Sequence, residues 1–137
     1  MKKLLLLLTI VSLPSFASVS ANVSFTSDYI WRGMTQSDGP AIQGGFDYAS
    51  DGGFYAGIWG SNVNFNDGAG SELDYYFGYG FDMGGVGVDI GYIAYDYPDN
   101  DSDLNFEEIY VGLSMGDLGL LYASGVDGAP DYMEVSY

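Results

Sequence analysis

Residues 72–95, ELDYYFGYGFDMGGVGVDIGYIAY, alternate between large apolar side chains and small or acidic ones. In an extended strand, successive side chains point to opposite faces, so this period of two separates the two classes. The Gly84-Gly85 pair tolerates the positive φ angles of a tight turn, and the alternation resumes after it. A helix would scatter the carboxylates around its axis. The stretch therefore predicts a β-hairpin with one large apolar face and one small, acidic face.

Similar runs flank this hairpin on both sides and predict about eight strands in total. Tight turn signals such as Asp51-Gly52 and Gly116-Asp117 alternate with longer loops, which places all the long loops at one end. Outer-membrane barrels have this arrangement. The predicted fold is an all-β, antiparallel up-and-down transmembrane β-barrel, either complete in itself or a fragment of a larger barrel. The other predicted strands span residues 22–36, 41–49, 53–65, 106–115, 118–124 and 132–137.

The N-terminal segment has the features of a secretory signal peptide. Lys2 and Lys3 precede a short apolar run at residues 4–11, and Val19-Ser20-Ala21 resembles a cleavage site. We expect residues 1–21 to be the signal peptide and residues 22–137 the β-barrel domain, with cleavage after Ala17 as an alternative. Export through the periplasm to the cell outer membrane of a Gram-negative bacterium is the predicted localisation.

The composition excludes several classes of function. The chain has 19 acidic residues, and Arg32 is its only cation beyond Ala21, so it lacks the basic clusters that bind nucleic acid. Without His or Cys it cannot form the common nucleophilic triads, and no carboxylate pair stands out as an acid and base. We expect no enzyme activity, no cofactor and no metal site. Residues 99–103 imitate the start of a calcium loop, but Leu104 and Tyr110 occupy positions that need Gly and Glu.

Alternation alone does not say which face points outward. An eight-stranded lumen holds little more than its own side chains, so the many large aromatic residues would overfill it. The acidic face is rich in glycine and suits a narrow interior, while 13 Tyr and 2 Trp suit aromatic girdles at membrane interfaces. We therefore expect the apolar face to contact outer-membrane lipid.

The acidic face supplies the candidate lumenal residues. Asp28 and Arg32 are four residues apart on one predicted strand, so they form either a charge constriction or an internal ion pair, and we favour the ion pair. The remaining carboxylates on the same face would concentrate cations and repel anions. These further candidates for lumen lining and selectivity are Asp47, Asp74, Asp82, Asp89, Glu108 and Glu134.

A series of short motifs runs through residues 26–63. They are Thr26-Ser27-Asp28-Tyr29, Arg32-Gly33, Thr35-Gln36-Ser37, Pro40-Ala41-Ile42-Gln43-Gly44-Gly45-Phe46-Asp47-Tyr48, Gly53-Phe54-Tyr55-Ala56-Gly57 and Ser61-Asn62-Val63. This region resembles the TorF-type porin family of bacterial outer-membrane proteins. The resemblance implies a β-barrel with a pore role, although members of that family usually extend further than this chain. The final strand, with Met133, Val135 and Tyr137, resembles the pattern that the barrel-assembly machinery recognises.

The predicted function is that of a porin whose acidic lumen passes small solutes, cations above all. Two alternatives stay open: a closed, non-conducting outer-membrane barrel with a structural or surface role, and a secreted soluble barrel that binds an apolar ligand. About eight strands leave no open channel. Extra strands or a homo-oligomer would be needed for a wide pore.

Overall fold

The computed structural model describes residues 17–66, 68–98 and 104–137, and the fold is all-β. The strands are β1 Ser18–Thr26, β2 Ile30–Trp31, β3 Met34–Thr35, β4 Ala41–Ala49, β5 Phe54–Asn62, β6 Ser71–Met83, β7 Val86–Asp96, β8 Phe106–Met115, β9 Leu118–Gly125 and β10 Tyr132–Ser136. Eight of them follow one another in a single antiparallel sheet, in the order β1-β4-β5-β6-β7-β8-β9-β10, while β2 and β3 form a separate two-stranded hairpin.

The hairpin predicted from residues 72–95 is confirmed. β6 and β7 pair from Leu73 opposite Asp96 to Met83 opposite Val86, and Gly84 and Gly85 both have positive φ in the turn between them. Tight turns join β4 to β5 and β8 to β9 at the same end of the sheet. The longer connections, including those on either side of β6–β7, lie at the opposite end.

The sheet is not closed into a barrel, so the predicted closure is not borne out by the described residues. Among them, no strand pairs with the free edge of β1 or with the free edge of β10. Closure depends on whether the first and last strands meet, and the alternation within each strand contains no information about that pairing.

The prediction of one strand over residues 22–36 is wrong. β1 ends at Thr26, and the chain then forms the β2–β3 hairpin, in which Ile30 pairs with Thr35 and Trp31 with Met34. Arg32 (φ 48°) and Gly33 (φ 85°) form its turn. Two consecutive positive φ angles are typical of the tight turns that suit the twist of a hairpin. The regular spacing of aromatic residues across this segment concealed the turn.

β1 also begins earlier than the predicted domain boundary. Its first four residues, 18–21, pair with residues 46–49 of β4. Removal of residues 1–21 would delete this part of the strand, whereas cleavage after Ala17 would leave β1 whole.

The two faces of the sheet differ in chemistry. We call the face that carries Asp74 and Glu108 the inner face, and the opposite one the outer face. On β6 the outer Phe77 is 52% exposed, whereas the inner Asp74 and Glu72 are 6% and 2% exposed. On the other strands most exposed apolar side chains also lie on the outer face, whereas Trp59, Ile93 and Phe106 lie on the inner face and contact the β2–β3 segment or the apolar cluster beside it.

Three tyrosine rings on the inner face lie flat over glycines of the neighbouring strand. The glycine in each pair is the direct cross-strand partner of the tyrosine, and a Cβ atom there would collide with the ring. A bare glycine is therefore required beneath each ring. The pairs are Tyr55 over Gly78, Tyr76 over Gly57 and Tyr110 over Gly91.

We expect Gly91→Ala to lower the free energy of unfolding by about 1–3 kcal/mol, because the added methyl forces the Tyr110 ring out of place. Gly112→Ala on the adjacent strand is the matched control, since its Cβ would stand 3.6 Å from the Asp89 Cβ, in ordinary contact. Urea unfolding of the two variants in detergent compares them. Equal losses would show that the rings do not need the glycines.

Candidate functional site

Arg32 lies on the inner face and forms an ion pair with Glu108 of β8. Its two terminal nitrogens donate to the two carboxylate oxygens at 2.6 and 2.8 Å. The guanidinium also lies between two aromatic rings, 4.1 Å from the Trp31 centroid and 4.0 Å from that of Tyr132 on β10. Stacking and a bidentate carboxylate suit the planar guanidinium better than any other cation. Glu108 is 1% exposed and the Arg32 side chain is 15% exposed, so the carboxylate is buried and the guanidinium largely so.

The predicted pairing of Arg32 with Asp28 is therefore wrong. Asp28 lies before β2 and accepts hydrogen bonds from the hydroxyls of Thr35 (2.6 Å) and Ser37 (3.3 Å). The two residues do not share a strand, because β1 ends at Thr26 and the turn at Arg32-Gly33 reverses the chain. Asp28 organises the base of the hairpin instead.

The β2–β3 hairpin packs against the inner face near the long-loop end. Trp31 meets the Tyr95 ring edge-on, with centroids 5.7 Å apart, and Tyr29 meets Trp59 in the same way at 5.4 Å. A main-chain hydrogen bond from Asn64 to Gln36 adds a backbone link to the β5–β6 connection. The hairpin and the connections around it share one apolar cluster centred on Val63, Ala69, Tyr95 and Tyr97.

Glu72 and Asp74 occupy adjacent inner positions on β6, beneath this cluster. The Tyr29 hydroxyl donates to Glu72 at 2.7 Å, and Tyr97 also hydrogen-bonds to this carboxylate. Burial raises the pKa of both phenols above their usual range, and the Glu72 charge adds to the shift, so both keep the proton that they donate. Asp74 differs, because its buried Oδ1 has no hydrogen-bond partner among the described residues.

Tyrosine hydroxyls satisfy two further carboxylates in the middle of the sheet. The Tyr55 hydroxyl donates to Asp89 at 2.6 Å and also contacts the Tyr110 hydroxyl, which reaches it from β8. Tyr76 donates to Asp47, which also accepts a bond from the Asn22 amide at 3.2 Å. The tyrosine contacts bridge strands that are not neighbours in the sheet, so side chains cover the middle of the inner face.

The last two predicted lumenal residues lie apart from these groups. Asp82 is exposed next to the β6–β7 turn and accepts the Gly85 N–H at 3.1 Å. Glu134 accepts the Tyr132 hydroxyl at 2.7 Å on the edge strand β10. The structure thus brings Arg32 together with Glu108 alone among the eight candidates.

The predicted site included neither Glu72 nor any tyrosine. Glu72 and Tyr76 lie on the acidic side of the alternation, and Tyr110 is two residues from Glu108. The period of two therefore already placed these side chains on the same face as the predicted lumenal carboxylates. Among the described residues, no group of three or more acidic side chains is placed to hold a metal ion. The imitation of a calcium loop at residues 99–103 lies outside the described residues.

Arg32→Gln should lower the free energy of unfolding by about 3–5 kcal/mol, because it leaves Glu108 buried without a cation. Adding Glu108→Gln should recover much of this loss, since no charge is then left unpaired. Urea titration followed by tryptophan fluorescence measures both, with Arg32→Lys as the control that keeps the charge and loses the bidentate geometry. If Arg32→Gln unfolds like the wild type, the ion pair does not stabilise the fold.

The comparisons with known proteins give a family and no activity. The family model described as "Bacterial protein of unknown function (Gcw_chp)" matches residues 13–130. No curated protein matches the chain, and no solved structure does. Across the described residues, no helix has the length and apolar character to cross a membrane. The match covers most of the sequence, and the chain belongs to the Gcw_chp family.

Proposed function

We propose that this protein is an outer-membrane β-barrel of the porin type, whose acidic interior favours cations and is closed by the β2–β3 hairpin in the present conformation. The observation that carries the proposal is the inverted distribution of side chains, with apolar residues exposed on the outer face and Glu72, Asp74 and Glu108 buried on the inner one. Soluble proteins rarely expose a continuous apolar surface of this extent.

The outer face supports contact with lipid. Its exposed side chains on the central strands are almost all aromatic or aliphatic. An aromatic patch of Tyr48, Phe54, Tyr79 and Phe81 lies near the tight-turn end, with ring centroids 6.3 Å apart for the first two and 5.8 Å apart for the last two. Aromatic girdles occur at this level in outer-membrane barrels. The edge residues Met133, Val135 and Tyr137 are also exposed, which agrees with their proposed recognition by the assembly machinery.

The inner face supports a preference for cations. Arg32 is the only cation beyond Ala21, and Glu108 already pairs with it. Apart from Asp74, the other inner carboxylates receive hydrogen bonds from neutral groups, so no basic partner neutralises their charge. A low-dielectric passage lined in this way concentrates cations.

Closure of the barrel is part of the proposal. β1 and β10 must pair with each other, with further strands or with a second copy of the chain, because a membrane leaves no free sheet edge unsatisfied. The resemblance of residues 26–63 to TorF-type porins implies barrels with more strands. The soluble, ligand-binding alternative is less well supported, since it needs the apolar side chains inside.

Phe77→Arg should block insertion into the outer membrane. Phe77 is the central residue of β6 and is 52% exposed on the outer face, and an Arg at the bilayer midplane costs about 2–4 kcal/mol. Phe77→Leu should insert normally, because it keeps an apolar side chain there. Membrane fractionation of cells expressing each variant is the measurement. A wild-type protein that stays soluble without detergent, or an inserted Phe77→Arg, would refute the membrane topology.

The purified protein should conduct weakly in planar bilayers, because the hairpin and the tyrosine network occupy the inner face. The double variant Arg32→Gln/Glu108→Gln lacks the ion pair that ties the hairpin to β8. We expect it to open more often, with a preference for cations at low salt that shrinks as salt screens the carboxylates.

Recordings under a salt gradient test both the weak conductance of the wild type and the preference for cations. Gly112→Ala is the control, because it leaves the hairpin contacts in place. Steady conductance from wild-type monomers would show that the hairpin does not close the lumen. Anion selectivity at low salt would contradict the acidic lining.

A further inference from the structure

The inner face of β6 carries two enclosed carboxylates without a basic partner. Glu72 is 2% exposed and Asp74 is 6% exposed, and the Glu72 charge acts directly on Asp74. The only cation beyond Ala21 is Arg32, and both of its terminal nitrogens bind Glu108. Two negative charges removed from water at adjacent positions repel each other unless a positive charge joins them.

One oxygen of Asp74 lacks a hydrogen-bond partner. Glu72 receives phenolic hydrogen bonds from Tyr29 and Tyr97, whereas the buried Asp74 Oδ1 has no partner among the described residues. Its neighbours across the sheet are Trp59 on β5 and Tyr95 on β7. Trp59 packs against Tyr29, and the Tyr95 hydroxyl is directed to Glu108 at 3.4 Å. Neither neighbour donates to Asp74.

A proton alone does not satisfy Asp74. A proton on Oδ2 would remove the charge of the carboxylate, but it would still leave Oδ1 without a hydrogen-bond donor among the described residues. A water molecule would supply a hydrogen bond but would leave both charges in place. A cation satisfies the oxygen and offsets both charges at once.

We propose that Glu72 and Asp74 together bind one hard divalent cation, with Ca²⁺ the best match to the oxygen donors present. Carboxylates are ligands for hard cations, and Ca²⁺ accepts irregular oxygen sets that water completes, whereas Mg²⁺ demands a near-ideal octahedron. Ser61 is the cross-strand partner of Glu72 and is buried on the same face; its hydroxyl donates to the Asn62 carbonyl at 3.0 Å, which leaves the oxygen lone pairs for an ion. Two carboxylates make a weak site, with a dissociation constant on the order of 10⁻⁴–10⁻³ M, as in extracellular calcium modules.

The ion would connect the sheet to the hairpin, because Tyr29 belongs to the segment that leads into β2 and is bonded to Glu72. Ion binding at this position requires neither membrane insertion nor conduction.

The test uses the mature protein refolded in detergent and titrated with Tb³⁺, whose luminescence is excited through the nearby Trp59 and tyrosines, followed by displacement with Ca²⁺. We expect saturable binding of one ion. Asp74→Asn and Glu72→Gln should each weaken it by about tenfold or more, because each removes one of the two charged ligands. Asp117→Asn, which removes a carboxylate in the β8–β9 turn at the opposite end, should bind like the wild type. Ca²⁺ should also raise the unfolding temperature of the wild type and not that of Asp74→Asn.

Absence of saturable binding to the wild type would overturn the proposal, and so would equal binding by Asp74→Asn. Displacement by Na⁺ or K⁺ at the same concentrations as Ca²⁺ would overturn the divalent assignment. If Asp74→Asn does not fold, Glu72→Gln and the wild-type titration show whether this position binds an ion. A protein that inserts into membranes but binds no ion contradicts this inference alone, and a soluble protein that binds Ca²⁺ contradicts the proposed function alone.

Discussion

The structure depends on satisfying carboxylates that the sheet removes from water. Beyond Ala21 the chain has a single basic side chain for this task, and Arg32 is committed to Glu108. The remaining donors are phenols and amides, which neutralise no charge but complete the hydrogen bonds that a buried carboxylate requires. The inner face is consequently a network of tyrosines and acids, and Tyr29 and Arg32 of the 27–40 segment hold that segment against the sheet.

Glycine makes this network geometrically feasible. A tyrosine hydroxyl reaches a carboxylate two strands away only if its ring lies across the strand between them. Tyr55 crosses Gly78 on its way to Asp89, and the same relation holds for Tyr76 over Gly57 on its way to Asp47. The alternation of acids with glycines along the inner face is therefore a packing requirement as well as a sign of a narrow interior.

The parts of this arrangement that depend on local sequence could be predicted, and the parts that depend on distant contacts could not. The bounds predicted for β4 and β8 match the structure to the residue, because alternation and turn residues act within each hairpin. The end of β1 was missed because Tyr29 and Trp31 continue its period, leaving Arg32-Gly33 as the only turn signal. The alternation correctly assigned Asp47, Asp74 and Glu108 to one face. It could not reveal that Arg32 pairs with a residue 76 positions away.

The unequal connections of the sheet also imply an order of folding. A two-residue turn brings β6 and β7 together at little entropic cost, whereas β1 reaches β4 only after the whole 27–40 segment has been folded back. The inner side chains of β1, apart from Thr26, are exposed, so this strand gains little from burial until its free edge is covered. β1 should thus be the last strand to dock and the first to fray. The stability of the molecule is then graded across the sheet, highest at the central hairpin and lowest at the edge where a barrel would have to close.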